Sequence, residues 1–202
     1  MATTQIDLLR HGEAQGGQRY RGTTDDPLSE QGWIQMEAVT TPACKWNEVV
    51  TSPLNRCAQF ARTLSRRLAI PLYQESAFRE IAFGDWEGCS ADELMVRDGQ
   101  ALARYYDDPW HNTPPGGEPL TAFQARVLAG WHALLADQAG AHILLISHGG
   151  VMRTILNHVL GLPASSLFKL HIPYACVSRV RIDGEGESAL SCLLSHNGSL
   201  QP

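Results

Sequence analysis

Two short apolar runs, QIDLL (Gln5–Leu9) and HILLI (His142–Ile146), constrain this chain most, because each is followed one residue later by a histidine and a glycine. Runs of this length and character are the kind that a mostly parallel sheet buries on both faces. NEVVTS and IPLYQE read as shorter strands, and helical patterns lie between them. Pro53–Leu68 places Leu54, Cys57, Ala58, Ala61, Leu64 and Leu68 on one face, with Ser52 expected as N-cap and Pro53 as the first helical residue. Ser29–Val39 follows the same logic, with Ser29 capping and Trp33, Met36 and Val39 facing inward. Leu120–Ala136 and Val151–Leu160 are two further helices, the latter closed by Gly161 and Pro163. Strands alternating with helices predict a three-layer α/β sandwich, a mostly parallel central sheet flanked by helices. ACVSRVRID, GEGE and SALSCLL read as a C-terminal hairpin adding antiparallel strands at one edge.

The 202 residues suffice for one core, and we expect a single domain over 1–202. A net charge of −5 argues against a nucleic-acid or anionic-membrane surface. No apolar run approaches the ~20 residues that span a bilayer. The opening MATTQID has neither a basic start nor an apolar stretch, so no secretory leader is expected. Five cysteines without a Cys-x-x-Cys pair suggest neither a disulfide framework nor a zinc site, and reduced thiols fit a cytoplasmic location. The histidines outside the two His-Gly motifs show no metal-ligand spacing, so no metal and no cofactor is expected. Oligomeric state is left open.

Three features fall at corresponding places: Arg10-His11-Gly12 after the first strand, Thr51-Ser52-Pro53-Leu54-Asn55-Arg56 after another, and Ser147-His148-Gly149-Gly150 after HILLI. In open α/β sheets, ligands bind beyond the carboxyl ends of the strands, where loops and helix N-termini converge. Two histidines and two arginines meeting there describe a site for a dianionic phosphoryl group, which arginine grips with paired hydrogen bonds. Taken singly, each residue has a plain alternative: a polar strand end, a surface charge, a turn.

LLRHGE, TSPLNRCAQFA, FREIAFGDWEG and LLISHGGVMR resemble, in that order, the motifs of the histidine phosphatase superfamily, whose fold is phosphoglycerate-mutase-like. The resemblance runs from Ile6 to Asp183. It implies that His11 is a nucleophile that becomes phosphohistidine, that Arg10, Arg56 and His148 surround the phosphoryl group, and that Glu80 is the general acid. Glu87, in DWEG, is the alternative acid. A neutral His11 needs an acceptor on its second ring nitrogen, for which a nearby backbone carbonyl is the expected partner. Gly12 is expected to remove a side chain where backbone and phosphate approach closely.

Several features bear on the branch. Where many relatives carry an asparagine six residues after the nucleophile, this chain has Gly17. Arg19, Arg21 and the glycine-rich loop around Gly17 and Gly22 are alternative phosphate contacts, and Gly149 is a further binding candidate. FGDWEGCSADELM resembles the phosphatase branch, whereas mutases carry a longer insertion there. Ala91–Leu120 is expected to form a helical cap, whose Tyr105, Tyr106 and Trp110 could stack on a flat leaving group. The glycine-rich loop, FREIAFGDWEG and PPGGE look like those of bacterial alpha-ribazole phosphatases of cobalamin assembly, although Pro119 stands where those carry serine. The implied partner is a small phosphorylated metabolite, alpha-ribazole 5′-phosphate. The alternatives are a broad-specificity phosphatase of small sugar or carboxylate phosphates, or a phosphoglycerate mutase.

Overall fold

The computed structural model describes residues 3–41, 44–184, 186 and 189–198. Its sheet is built from β1 (Thr3–Arg10), β2 (Glu48–Thr51), β3 (Leu72–Gln74), β4 (His142–Ser147), β5 (Val177–Asp183) and β6 (Leu190–His196), in the spatial order β3-β2-β4-β1-β5-β6. β1 to β4 run parallel, and β5 and β6 add the antiparallel edge expected of the C-terminal segment. Glu185, Glu187 and Ser188, in the GEGES stretch expected at its turn, lie outside the described residues.

Side chains alternate across a strand, so HILLI must feed two cores. Ile143 and Leu145 join Ile6, Leu8 and Val50 beneath α4 (Leu120–Asp137) and α5 (Gly149–Val159), with Phe123, Trp131 and Met152. Leu144 and Ile146 join Leu9 and Val49 beneath α1 (Glu30–Val39) and α2 (Asn55–Leu68), with Met36, Phe60 and Leu64. Three layers result, as the alternation of elements predicts. A third cluster of Trp86, Leu94, Leu102 and Tyr105 lies beneath α3 (Ala91–Asp107), the helical part of the expected cap, which is kinked at Asp98.

Ser29 caps α1 as expected, its Oγ accepting from the Gly32 N–H at 3.0 Å. At α2 the expectation needs correction. The helix starts at Asn55 rather than Pro53, and its N-cap, Leu54, offers no side-chain bond. The Asp25 carboxylate takes over the capping role by accepting from the Asn55 N–H, which releases Ser52 for the site. α5 likewise starts two residues before the expected Val151. Trp110 packs, half-buried, against the α4–α5 core.

Asp7, fully buried in β1, accepts from Trp46 Nε1 at 2.8 Å and from Arg179 Nε of β5 at 2.8 Å, and His142 Nε2 lies 2.9 Å away. Burial by itself pushes its carboxyl up, but the bonds from His142, Arg179 and Trp46 outweigh it and hold the group below its ordinary range. This buried anion ties the antiparallel edge to the parallel sheet. Arg179→Gln should destabilise the protein by on the order of 2 kcal/mol, because it removes the charged partner that bonds both oxygens of the buried Asp7 carboxylate. A urea unfolding midpoint equal to that of the parent would show that Asp7 does not depend on Arg179.

Candidate active site

Strand register brings the three junctions together. Arg10 pairs with Ser147 and Thr51 with Ile146, so the next residues, His11, His148 and Ser52, emerge side by side from neighbouring strands. The backbone locks them there: the His11 N–H donates to the Ser147 carbonyl and the Ser52 N–H to that of Ile146, both at 3.0 Å. The His11 and His148 rings meet edge to face with centroids 5.2 Å apart.

The ring of His11 is held in one tautomer. Its Nδ1 lies 2.7 Å from the Gly12 carbonyl, which can only accept, so Nδ1 carries the proton and Nε2 keeps its lone pair. That carbonyl is the expected backbone partner. Burial first, then the nearby Arg56 and Arg10 cations, holds the His11 pKa well below the ordinary histidine value. The ring is therefore neutral at pH 7. His148 is neutral for the same reasons, burial and then Arg56. Its Nδ1 accepts from Arg56 Nε at 3.3 Å, which leaves Nε2–H to donate to Ser52 Oγ at 2.7 Å.

The two arginines are the anomaly. Arg56 is fully buried, and its terminal nitrogens donate to the carbonyls of Thr24 (2.6 Å), Gly22 (2.9 Å) and Arg21 (3.2 Å). Arg10 donates through NH1 to the Ile172 carbonyl at 2.6 Å and lies 4.4 Å above the Tyr174 ring, while its buried Nε has no partner. Among the described residues, neither guanidinium lies within ion-pair distance of a carboxylate. Buried charges are ordinarily paired. Two unpaired cations and an orphan donor beside a neutral nucleophilic nitrogen make a receptor for a multiply charged oxyanion.

Glu80 faces this group from the loop after β3. Its carboxylate accepts from the Ile81 N–H and from the Gly150 N–H of α5, both at 3.0 Å. A Cβ at Gly150 would stand 2.3 Å from Glu80 Oε1, so this seat exists only because the residue is glycine. Glu87, the alternative acid, is occupied elsewhere. It accepts from the amides of Gly22, Thr23, Thr24 and Phe83 and from the Thr24 hydroxyl. Burial raises its pKa, but the Thr24 hydroxyl and the Phe83, Thr23 and Thr24 amides more than offset this, leaving it below the ordinary value. It is an ionised strap on the loop whose carbonyls hold Arg56.

The remaining candidates divide. Gly149 lies against Arg10, whose Nε is 3.5 Å from where a Cβ would stand, and a bare backbone keeps that guanidinium open. Arg21 is no free phosphate ligand, because its guanidinium is spent on Asp26 and on the carbonyls of Gly17 and Gln15. Gly17 serves that brace, and the Gly22 N–H is taken by Glu87. Arg19 is bound on the surface to Glu93 and to the Gly88 carbonyl. Gly12 is required by close packing, because a Cβ there would lie 2.3 Å from the Gly32 carbonyl of α1. Sequence reasoning missed Ser52 as a partner of His148, and Ile172 and Tyr174 around Arg10. HIPYA carries no motif that could have announced the last two. Among the described residues, no cluster of three or more His, Cys, Asp or Glu is placed to hold a metal.

The model of the histidine phosphatase superfamily (branch 1) matches residues 6–193, and the chain belongs to that family. The adenosylcobalamin/alpha-ribazole phosphatase of Salmonella typhimurium is 31% identical over 193 residues, covering 93% of this chain and 95% of its own. The Escherichia coli protein of the same name is 29% identical over 180 residues, covering 87% and 89%. A Mycobacterium tuberculosis protein named bifunctional protein Rv2228c is 31% identical over 202 residues, covering 98% of this chain but 55% of its own, so the chain spans about half the length of such relatives. Among solved structures, Bacillus stearothermophilus YhfR superposes with a TM-score of 0.87 at 26% identity, covering 98% of both chains. The Shigella flexneri alpha-ribazole phosphatase does so with a TM-score of 0.77 at 27% identity, covering 96% and 98%.

Two expectations follow from the geometry. Gly150→Ala should keep the fold and unseat Glu80; with Glu80 as the general acid that the family resemblance implies, turnover of alkyl phosphates should fall by about 10²-fold, and unchanged turnover would show that the seat is irrelevant. The second concerns pH. Above pH ~6.5 both folded and unfolded chains hold these histidines neutral. Below it the unfolded chain takes up protons that the folded His11 and His148 refuse, so stability falls as the pH drops toward the folded values. Denaturant midpoints measured between pH 6.5 and 5 should decline less steeply in His148→Gln than in the parent, and identical slopes would contradict a neutral buried His148.

Proposed function

We propose that this chain is a phosphomonoester hydrolase that works through a phosphohistidine, carried by one domain spanning the sequence. The observation behind the reading is the pair of carboxylate-free guanidiniums, one buried and one half-buried with an unpartnered Nε, beside the lone pair of His11 Nε2. Arg10 and Arg56 bind the dianionic phosphoryl group and take up charge on its equatorial oxygens as it transfers. His148, its tautomer set by Arg56 and Ser52, completes the wall. The Nε2–P bond forms as the ester P–O bond breaks, and Glu80, entering as the carboxylic acid, gives its proton to the departing alkoxide. Its carboxylate then takes a proton from the water that attacks phosphohistidine, releasing inorganic phosphate and restoring both groups. Charge neutralisation comes from the arginines, so no metal is needed.

The names of the E. coli and Salmonella relatives support alpha-ribazole 5′-phosphate as the substrate. A second reading, a phosphatase of small sugar or carboxylate phosphates, is favoured by a charged group in the wall beside Glu80. A turnover panel with chelator present, comparing alpha-ribazole 5′-phosphate, phosphoglycerates, sugar phosphates and phosphotyrosine, separates these. Rescue by a divalent ion after chelation would overturn the metal-free reaction.

His11→Ala should abolish turnover with the fold intact, and acid-labile, base-stable phosphate should be trapped on His11 of the parent. Label on serine or cysteine would sink the mechanism. Glu80→Gln should slow alkyl phosphates by ~10²–10⁴ while largely sparing p-nitrophenyl phosphate, whose leaving group needs little protonation. Equal losses on both substrates would remove Glu80 from leaving-group chemistry.

A further inference from the structure

Glu80 borders a small cavity, about 70 Å³, whose walls come from four helical elements: α3, α4, α5 and the 3-10 segment Ala164–Lys169. Phe83, Phe123 and Phe168 supply apolar surface. Two polar side chains in the same wall are unspent. Arg153 of α5 donates through Nε to the Leu170 carbonyl at 3.0 Å, and its terminal nitrogens have no hydrogen-bond partner or carboxylate among the described residues. Tyr105 of α3 is buried between Trp86 and Phe168, yet its hydroxyl makes no hydrogen bond among the described residues. An apolar cavity with a few converging polar groups is the usual make-up of a small-molecule subsite.

The position of Arg153 fixes which part of a substrate it would meet. Its NH1 and the Nε of Arg10 approach the same point above Gly149, at 3.3 and 3.5 Å from where a Cβ would be. Arg153 is therefore the next cation beyond the phosphoryl site. It shares its cavity with Glu80, the group that protonates the departing oxygen in the reaction proposed above. When Glu80 carries that proton, Arg153 is the one charged side chain left in the cavity wall among the described residues. A half-buried guanidinium in an aromatic wall gains most from an anionic oxygen group that reaches it.

We infer that Arg153, assisted by the Tyr105 hydroxyl, forms a subsite for an acidic group on the leaving-group side of the ester, which makes these two side chains specificity-determining. The inference rests on the phosphomonoesterase reading and narrows it. Phosphorylated hydroxy acids are preferred over phosphates of neutral alcohols, and alpha-ribazole, which carries no acid, belongs to the second group.

The test compares 3-phosphoglycerate with glycerol 3-phosphate, which share a three-carbon skeleton and differ in the carboxylate. In the parent, kcat/KM should favour the acid. Arg153→Gln should lower the acid-to-neutral ratio about tenfold or more, the factor that a charged hydrogen bond carries, with Arg153→Lys restoring part and Tyr105→Phe lowering the ratio less. Three results overturn the inference: no acid preference in the parent, equal loss on both substrates, or a tenfold loss of inhibition by inorganic phosphate, which would place Arg153 in the phosphoryl site. Calorimetric binding of the same two compounds to parent and Arg153→Gln needs no turnover. An acid preference in binding that vanishes in the variant supports the subsite even if the parent hydrolyses neither compound, and that failure would count against the reaction alone.

Discussion

Two guanidiniums without a carboxylate, Arg56 fully buried and Arg10 half-buried with an enclosed Nε, are the arrangement on which the rest of this molecule depends. A carboxylate partner would cancel the charge and close the site. The chain instead surrounds Arg56 with carbonyls from the Arg21–Thr24 loop and leaves the Arg10 Nε with nothing to bond. Carbonyl dipoles lessen the desolvation cost without neutralising the cation, so an incoming oxyanion still finds two uncompensated charges. Burial first, and these charges second, keep His11 and His148 neutral, which is the state the proposed nitrogen nucleophile needs. In the proposed reaction, binding and nucleophilicity thus draw on one electrostatic choice.

Keeping that choice requires a rigid loop. The Arg21–Thr24 carbonyls would not converge on Arg56 unless something fixed their backbone. Glu87 does so from the other side, with one carboxylate collecting four amides and a hydroxyl. Arg21 adds a second brace by binding the Gln15 and Gly17 carbonyls and Asp26. Residues that look like spare acid and spare cation in the sequence are the framework of the anion site. Close backbone contacts complete that framework, since Gly12 lets α1 pack against the nucleophile loop and Gly150 lets Glu80 sit on the first turn of α5.

On the reading proposed above, the phosphoryl end of the site and its leaving-group end are built differently. The first is made of strand ends, where register leaves little freedom. The second is made of α3, the segment from 164 to 169 and the loop after β3, held by aromatic contacts such as Tyr105 with Trp86 and Phe168. The two halves of the site thus rest on separate parts of the fold, and a fold can host different substrates on the same framework.

Much was legible in the sequence because it is local. HILLI declares a two-sided strand, Ser29 declares a helix start, and His-Gly after a strand declares a sheet-edge loop. What the sequence could not decide depends on distant groups competing for the same atoms. Ser52 looked like a helix cap until Asp25 filled that role and His148 claimed its hydroxyl. Arg21 and Arg56 both look like candidate phosphate cations in the sequence, but only tertiary packing puts Asp26 beside the first and no carboxylate beside the second. By itself the sequence determined the layers, the strand ends and the residue types brought to them, since these follow from periodicity and local propensity. Which cation stays unpaired, which acid stays free and what faces the leaving group were decided only in three dimensions, because charge and hydrogen-bond capacity are shared among neighbours that the chain order does not reveal.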